Sequence, residues 1–189
     1  MSDQQTILKD SQDALENADL LYNADAVERA ITEMSAAITN ELEQSNPLIL
    51  PIMIGGLVLA GRLLPQLNFP LQIDYIHATR YRGETNGSEL NWLKKPEKSL
   101  KDKTILLVDD ILDEGITLAA IIEYCHESGA EKVLTAVLVE KIIDKDKPIK
   151  HADYTGLTVP DRYVFGYGMD YHEYHRNSAG IYALKEERI

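Results

Sequence analysis

The stretch Ile105-Leu106-Leu107-Val108-Asp109-Asp110-Ile111-Leu112-Asp113-Glu114-Gly115-Ile116-Thr117-Leu118 constrains this chain more than any other. Thr104 to Val108 has no polar face past its first residue, which predicts a strand buried on both sides, the habit of parallel sheets. The strand delivers two adjacent carboxylates, Asp109 and Asp110, at its carboxyl end. A third, Asp113, follows, and Gly115 and Thr117 open a helix. Such a loop and helix start offer free backbone N–H groups, a hydroxyl and the positive end of the helix dipole, which together suit a phosphate monoester. Paired carboxylates hold a hard cation such as magnesium, or receive ribose hydroxyls. The plainer reading is a strand followed by an acidic helix cap, and Asp109-Asp110 alone does not decide between the two.

The same alternation recurs along the chain. Leu48 to Ile54 is an apolar run ending in Gly55-Gly56, followed by a helical stretch from Leu57 to Leu64. Val133 to Val139 is a third apolar strand, and a helix runs through Ile116, Ala119, Ala120, Ile122 and Tyr124. The predicted fold is α/β: an open, twisted, mainly parallel sheet flanked by helices, with ligands beyond the carboxyl ends of its strands. Upstream, Val27, Ala30, Ile31, Met34, Ala37, Ile38 and Leu42 predict an amphipathic helix over 25–44, and Leu8, Leu15, Ala18 and Leu21 an earlier one around 8–22. Pro47 marks the boundary between them and the strands. Ile73, Tyr75 and Ile76 predict a strand and Leu90 to Leu93 its return. The connecting Arg80-Tyr81-Arg82-Gly83-Glu84-Thr85-Asn86-Gly87-Ser88 reads equally as a hairpin tip and as a basic lid over an anionic ligand.

With 189 residues the chain is expected to form one domain, and its net charge of −12 argues against a general nucleic-acid binder. An acidic protein that takes an anionic ligand needs metal ions or a local gathering of basic groups. No apolar run approaches the roughly 20 residues that span a bilayer. Met1-Ser2-Asp3-Gln4-Gln5 carries neither a basic nor an apolar leader segment. Cys125 is the single cysteine; it fits a reducing cytoplasm and, inside an apolar helical pattern, is expected to be a buried small hydrophobe. There is no G-x-x-x-x-G-K-[ST] loop and no G-x-G-x-x-G after a strand, which withdraws support from common nucleotide hydrolases and dinucleotide dehydrogenases. His172, Glu173 and His175 look like metal ligands, but the two histidines are three residues apart with no third distant partner, which disfavours zinc.

The Ile105–Leu118 pattern resembles the phosphoribosyl-pyrophosphate-binding motif of type I phosphoribosyltransferases: two acidic residues after an aliphatic strand, then D-x-G-x-T. Val159-Pro160-Asp161-Arg162-Tyr163-Val164-Phe165-Gly166-Tyr167-Gly168-Met169-Asp170-Tyr171 and Arg176 resemble the closing segment of hypoxanthine-guanine phosphoribosyltransferases. Val139-Glu140-Lys141 is similar to the D-K ending of their bacterial members. The likeness covers roughly residues 48 to 180 and implies a core at approximately 47–160, with a small hood formed by the N-terminal helices and 161–189.

The resemblance also implies roles. Asp113 matches the general acid/base facing N7 of the purine. Glu114, Gly115, Ile116 and Thr117, with Leu118 behind them, match the 5-phosphate cradle, and Asp109 and Asp110 the pair near the ribose hydroxyls and magnesium. Lys141 matches the donor to O6 of the base, Tyr163 the stacking aromatic, and Val164 the backbone contact to the base edge. Asp170 matches a residue by the purine and a second magnesium ligand, and Arg176 the cation that grips pyrophosphate. Implied partners are phosphoribosyl pyrophosphate and a 6-oxopurine, with no nucleic acid or membrane, in a cytoplasmic homodimer or homotetramer.

A lysine offers only donors, so it pairs with a 6-oxo group and is left unpaired by the amino group of adenine. The plainer readings are a solvated charge beside Lys145 and Lys147, and strand packing for Tyr163. Two departures stand out. The pyrophosphate loop, expected at Ile54 and Gly55, has Met53-Ile54 where relatives carry a basic residue before the glycine. The flexible loop has Arg80-Tyr81 in place of Ser-Tyr, which makes Arg80 or Arg82 a candidate replacement for the lost charge. The alternative function is a regulatory protein that keeps the pocket as a phosphoribosyl-pyrophosphate sensor; an enzyme for adenine or a pyrimidine fits Lys141 and the Tyr163–Asp170 segment less well.

Overall fold

The protein is seen here as a computed structural model that describes residues 3–80 and 90–185, with the side chains of Asp3 and Arg80 left aside. The expected lid, including Tyr81, Arg82 and Ser88, lies outside the described residues, and of Arg80 only the backbone can be placed.

Four strands run parallel at the centre: β2 (Leu48–Met53), β6 (Thr104–Leu112), β7 (Lys132–Ile142) and β8 (Tyr154–Pro160). β4 (Ile76–Arg80) continues the parallel set beside β2, and β5 (Leu90–Lys94) closes that edge antiparallel to β4. The order is β5-β4-β2-β6-β7-β8, with the two-residue β3 (Gln72–Ile73) also paired to β2.

Alternation along β6 and β7 sorts the core onto two faces. Leu106, Val108, Ala136 and Leu138 join α2 (Ala24–Leu42) and α3 (Gly56–Leu63) on one side. Ile105, Leu107 and Val137 join α4 (Ile116–Glu127) on the other. Strands covered on both faces need apolar residues at successive positions, which is why these segments read as unbroken hydrophobic runs. The amphipathic stripe expected over 25–44 is real: Val27, Ile31, Met34, Ile38 and Leu42 are all buried. Cys125 lies fully buried on the inner face of α4, and burial pushes its thiol up to about 12.

The earlier helix lies nearer the start of the chain than expected. α1 spans Asp3–Asn17, and Asp19–Asn23 forms β1, paired antiparallel with β10 (Gly180–Ala183), which in turn pairs with β9 (Val164–Phe165). Pairing with β10 overrides the helical spacing of Leu15, Ala18 and Leu21. It also leaves Asn23 extended, with φ −77° and ψ 168°, so that its side chain accepts the Ala26 N–H at 2.9 Å and caps α2. The small β1-β10-β9 sheet is joined to α1 through Ala14, Phe165, Tyr171 and Leu184. β8 was not anticipated as a strand; its Tyr154 donates to Glu41 Oε2 at 2.7 Å and so fastens to α2.

Candidate active site

The carboxyl ends of β2, β4, β6 and β7 open on one side of the sheet, and the chemistry-bearing residues collect there. Past Val108, β6 carries Asp109 and Asp110, whose own backbone N–H donates to Asp109 Oδ1 at 3.0 Å. Gly115 then takes φ +74° to start α4, a left-handed conformation that favours glycine. β2 ends in Met53, joined to Ile54 through a cis peptide bond. Gly55 follows, packed so closely on β6 that a Cβ there would stand 2.2 Å from Asp110 Oδ2. Only a glycine lets this backbone rest on that carboxylate.

Two adjoining cavities result. The larger, about 360 Å³, is lined by Ile54, Gly55, Asp109, Asp113, Thr117 and Arg176, among others. The smaller, about 170 Å³, is lined by Lys141, Tyr163, Val164, Met169 and Asp170. Asp110, Ile111 and Asp113 line both. The expected site residues are therefore brought together by the fold, except the undescribed Tyr81 and the side chain of Arg80.

Lys141 is buried, not solvated: its Nζ lies 2.9 Å from Asp113 Oδ2 and 3.7 Å from Asp161 Oδ1. Asp113 remains open on the cavity side, with 45% of its side chain exposed. Tyr163 is also exposed, and its hydroxyl donates to the Asp170 carbonyl at 3.1 Å. Its ring meets Tyr171 edge-on.

Charge is unevenly distributed across the larger cavity. Burial pushes the Asp109 carboxyl well above its ordinary range, and the neighbouring Asp110 charge raises it further. Burial also raises Asp110, with Arg176 pulling in the opposite direction. Arg176 Nη2 contacts Asp170 Oδ1 at 2.7 Å, Nη1 donates to the Gly168 carbonyl at 2.7 Å, and Nη1 stands 3.9 Å from Asp110 Oδ2. Asp170 Oδ2 accepts the Glu173 N–H at 2.9 Å.

This donor set fits magnesium. One buried and one half-buried carboxylate share one cation at long range, and a hard divalent ion binds oxygen and would offset their desolvation. Among the described residues no three His, Cys, Asp or Glu side chains converge on a metal position. A magnesium ion held here would complete its shell with water and substrate oxygens, as that ion does at phosphate sites.

Several lining residues carried no sequence signal. His77 and Thr79 alternate inward on β4, with His77 in register beside Met53. Met169 reaches the smaller cavity through a turn rich in positive φ, including Tyr167 and His172. Of the metal-like trio, His175 contacts the Ser11 carbonyl of α1 at 2.7 Å through Nε2, His172 sits edge-on to Tyr171, and Glu173 lines the larger cavity.

Comparison with known proteins places this geometry. A family model described as a phosphoribosyl transferase domain matches residues 17–172. The hypoxanthine-guanine-xanthine phosphoribosyltransferase of Tritrichomonas foetus is 32% identical over 170 residues, covering 88% of this chain and 91% of that one. The hypoxanthine-guanine phosphoribosyltransferase of Bacillus subtilis is 30% identical over 167 residues, covering 88% and 92%. A crystal structure of a hypoxanthine phosphoribosyltransferase from Staphylococcus aureus superposes with a TM-score of 0.84 at 27% identity, covering 92% of this chain and 95% of that chain.

Proposed function

Because the chain belongs to the phosphoribosyl transferase family, we propose that its paired cavities transfer a 5-phosphoribosyl group from phosphoribosyl pyrophosphate to N9 of hypoxanthine or guanine, yielding IMP or GMP and pyrophosphate. The protein is a purine-salvage phosphoribosyltransferase, as its named relatives are. The regulatory alternative finds no support among them.

One observation carries the substrate reading: the 2.9 Å contact between Lys141 Nζ and Asp113 Oδ2, placed where the two cavities meet. O6 and N7 are neighbours on one edge of a 6-oxopurine. An ammonium and a carboxylate side by side match that edge, the lysine donating to O6 and the aspartate receiving the proton at N7. Adenine would set an amino group against the lysine and leave a buried cation without an acceptor. Tyr163 offers the ring face on which the base stacks, and Val164 the backbone beside it.

The larger cavity takes the donor. The 5-phosphate rests on the N–H groups and hydroxyl from Glu114 to Thr117 at the start of α4. Asp109 and Asp110 face the ribose hydroxyls, and Arg176 is the cation for pyrophosphate. As the C1–O bond to pyrophosphate breaks and the C1–N9 bond forms, Asp113 removes the purine proton and Arg176 meets the negative charge gathering on the leaving group. Magnesium held by Asp109 and Asp110 would supply additional positive charge there, and Asp170 would serve a second magnesium near pyrophosphate. The Met53-Ile54-Gly55 turn offers backbone rather than a side-chain cation, so the Arg80-Tyr81-Arg82 segment is assigned the missing charge.

A steady-state assay with phosphoribosyl pyrophosphate, magnesium and hypoxanthine, guanine, xanthine or adenine tests this. Turnover of 6-oxopurines with adenine inert is the expected result. Bound phosphoribosyl pyrophosphate without turnover of any base would overturn it in favour of a sensor.

A further inference from the structure

We propose that Lys147, outside both cavities, is a positioning residue that holds Asp113 and Lys141 in register with each other. The proposal rests on the transfer reaction above, since it concerns how the proton acceptor and the O6 donor are spaced.

Lys147 lies on the connection between β7 and β8. Its Nζ donates to the carbonyl of Lys141 at 3.2 Å and stands 3.5 Å from the carbonyl of Asp113. These are the backbone oxygens of the two residues whose side chains meet at 2.9 Å. The ladder between β6 and β7 reaches neither residue. The last β6–β7 register pair is Leu112 with Glu140, one step before Asp113 and Lys141. On its other side Lys141 keeps its register with Val159 of β8, and one step further Pro160, which has no N–H, stands opposite Ile142. Where β6 and β7 part, the Lys147 ammonium therefore links their backbones in place of ladder hydrogen bonds.

The connection is tied down between Lys147 and β8. Ile149 packs against the apolar cluster under α4, and a Cβ on Gly115 would come within 3.4 Å of it. His151 Nδ1 lies 2.7 Å from Glu140 Oε1, whose other oxygen accepts the Thr155 hydroxyl at 3.0 Å. Asp153 Oδ2 takes both the backbone N–H and the hydroxyl of Thr135, each at 2.8 Å. The segment is thus fixed to β7, β8 and the phosphate loop, and Lys147 is the side chain it sends back to the junction. Both recipients are backbone oxygens, so the contact sets chain position and leaves the chemistry to Asp113 and Lys141.

The test compares the full-length protein with Lys147→Met and Lys147→Arg, using hypoxanthine, guanine and phosphoribosyl pyrophosphate with magnesium. Misplacing a catalytic pair by a fraction of an ångström to one ångström costs up to about 100-fold. Lys147→Met is expected to lower kcat/KM for the base by roughly 10- to 100-fold, while KM for phosphoribosyl pyrophosphate stays within about twofold. Lys147→Arg, which can still donate to two carbonyls, is expected to recover most of that loss. Rates are compared per folded molecule, so a purely structural residue would lower Tm without this split, and Lys147→Arg still reports if Lys147→Met fails to fold. Unchanged base kinetics in Lys147→Met, or no recovery in Lys147→Arg, would overturn the proposal. So would a loss confined to KM for phosphoribosyl pyrophosphate, which would make Lys147 a donor ligand. An unmodified protein with no transferase activity would instead sink the reaction on which the proposal rests.

Discussion

Arg176 and Asp170 form a 2.7 Å ion pair in which the guanidinium, through its other nitrogen, also grips the Gly168 carbonyl. One side chain thereby fastens the turn after β9 to the acidic end of β6, where Asp110 stands 3.9 Å away. Arg176→Met removes the proposed pyrophosphate cation and strands two partly buried carboxylates. Charge-assisted hydrogen bonds are worth about 1.5–3 kcal/mol, so KM for phosphoribosyl pyrophosphate should rise by roughly 10- to 100-fold, with a lower Tm. Arg176→Lys should recover only part, because an ammonium cannot reproduce the planar fork. An unaltered KM in both variants would remove Arg176 from the donor site.

Asp113→Asn keeps an oxygen for Lys141 and barely changes side-chain volume, so the fold and ligand binding should persist. Turnover should fall by about 10²–10⁴-fold, the usual worth of general acid/base assistance. The check is kcat together with thermal shift on adding the base. Undiminished kcat would reassign the proton transfer.

Lys141→Gln addresses base selection. An amide offers both a donor and an acceptor, so it can face either a 6-oxo or a 6-amino group. The preference for hypoxanthine over adenine, as a ratio of kcat/KM values, should narrow by roughly 10- to 100-fold, mostly through loss of the oxopurine. A ratio that does not move would place recognition of the 6-position elsewhere.

Asp109→Asn should make the ligand-free protein more stable at pH 8, since the amide still accepts the Asp110 N–H that Asp109 Oδ1 receives. The folded-state carboxyl is raised above its ordinary value of 3.8, chiefly by burial. A raised carboxyl binds its proton more tightly when folded, so its stabilising contribution is present at acid pH and lost as pH rises through the raised value. The stability gap between variant and unmodified protein should therefore widen as pH climbs from about 4 toward 8. Magnesium binds the deprotonated pair, so its stabilisation of the unmodified protein should grow with pH and be largely absent from the variant. Denaturant melts at several pH values, with and without magnesium, decide the matter; parallel curves would contradict it.

What could be read beforehand follows from how local each feature is. The β6 run and the Gly115–Thr117 helix start depend on neighbouring residues, so strand, loop and helix start were legible together. Lys141 and Tyr163 were legible only through likeness to a family, because nothing near them in the chain reveals that Asp113 will be their neighbour in space. β1 was missed because its partner, β10, lies some 160 residues downstream, as the Asp19–Ala183 pairing shows, and short-range spacing cannot register it. Lys147 carried no signal of its own for a similar reason: its acceptors are two carbonyls, which leave no mark in side-chain composition.

Cys125 has a use that its burial creates. A fully buried thiol raised to about 12 is almost wholly protonated at neutral pH and out of reach of alkylating reagents. Labelling must therefore wait for α4 to lift from the sheet, and with no other cysteine in the chain the modification rate times that event alone. Because α4 begins at the proposed phosphate cradle, any compound that settles there should slow this clock, so occupancy can be followed by mass with no turnover and no dye.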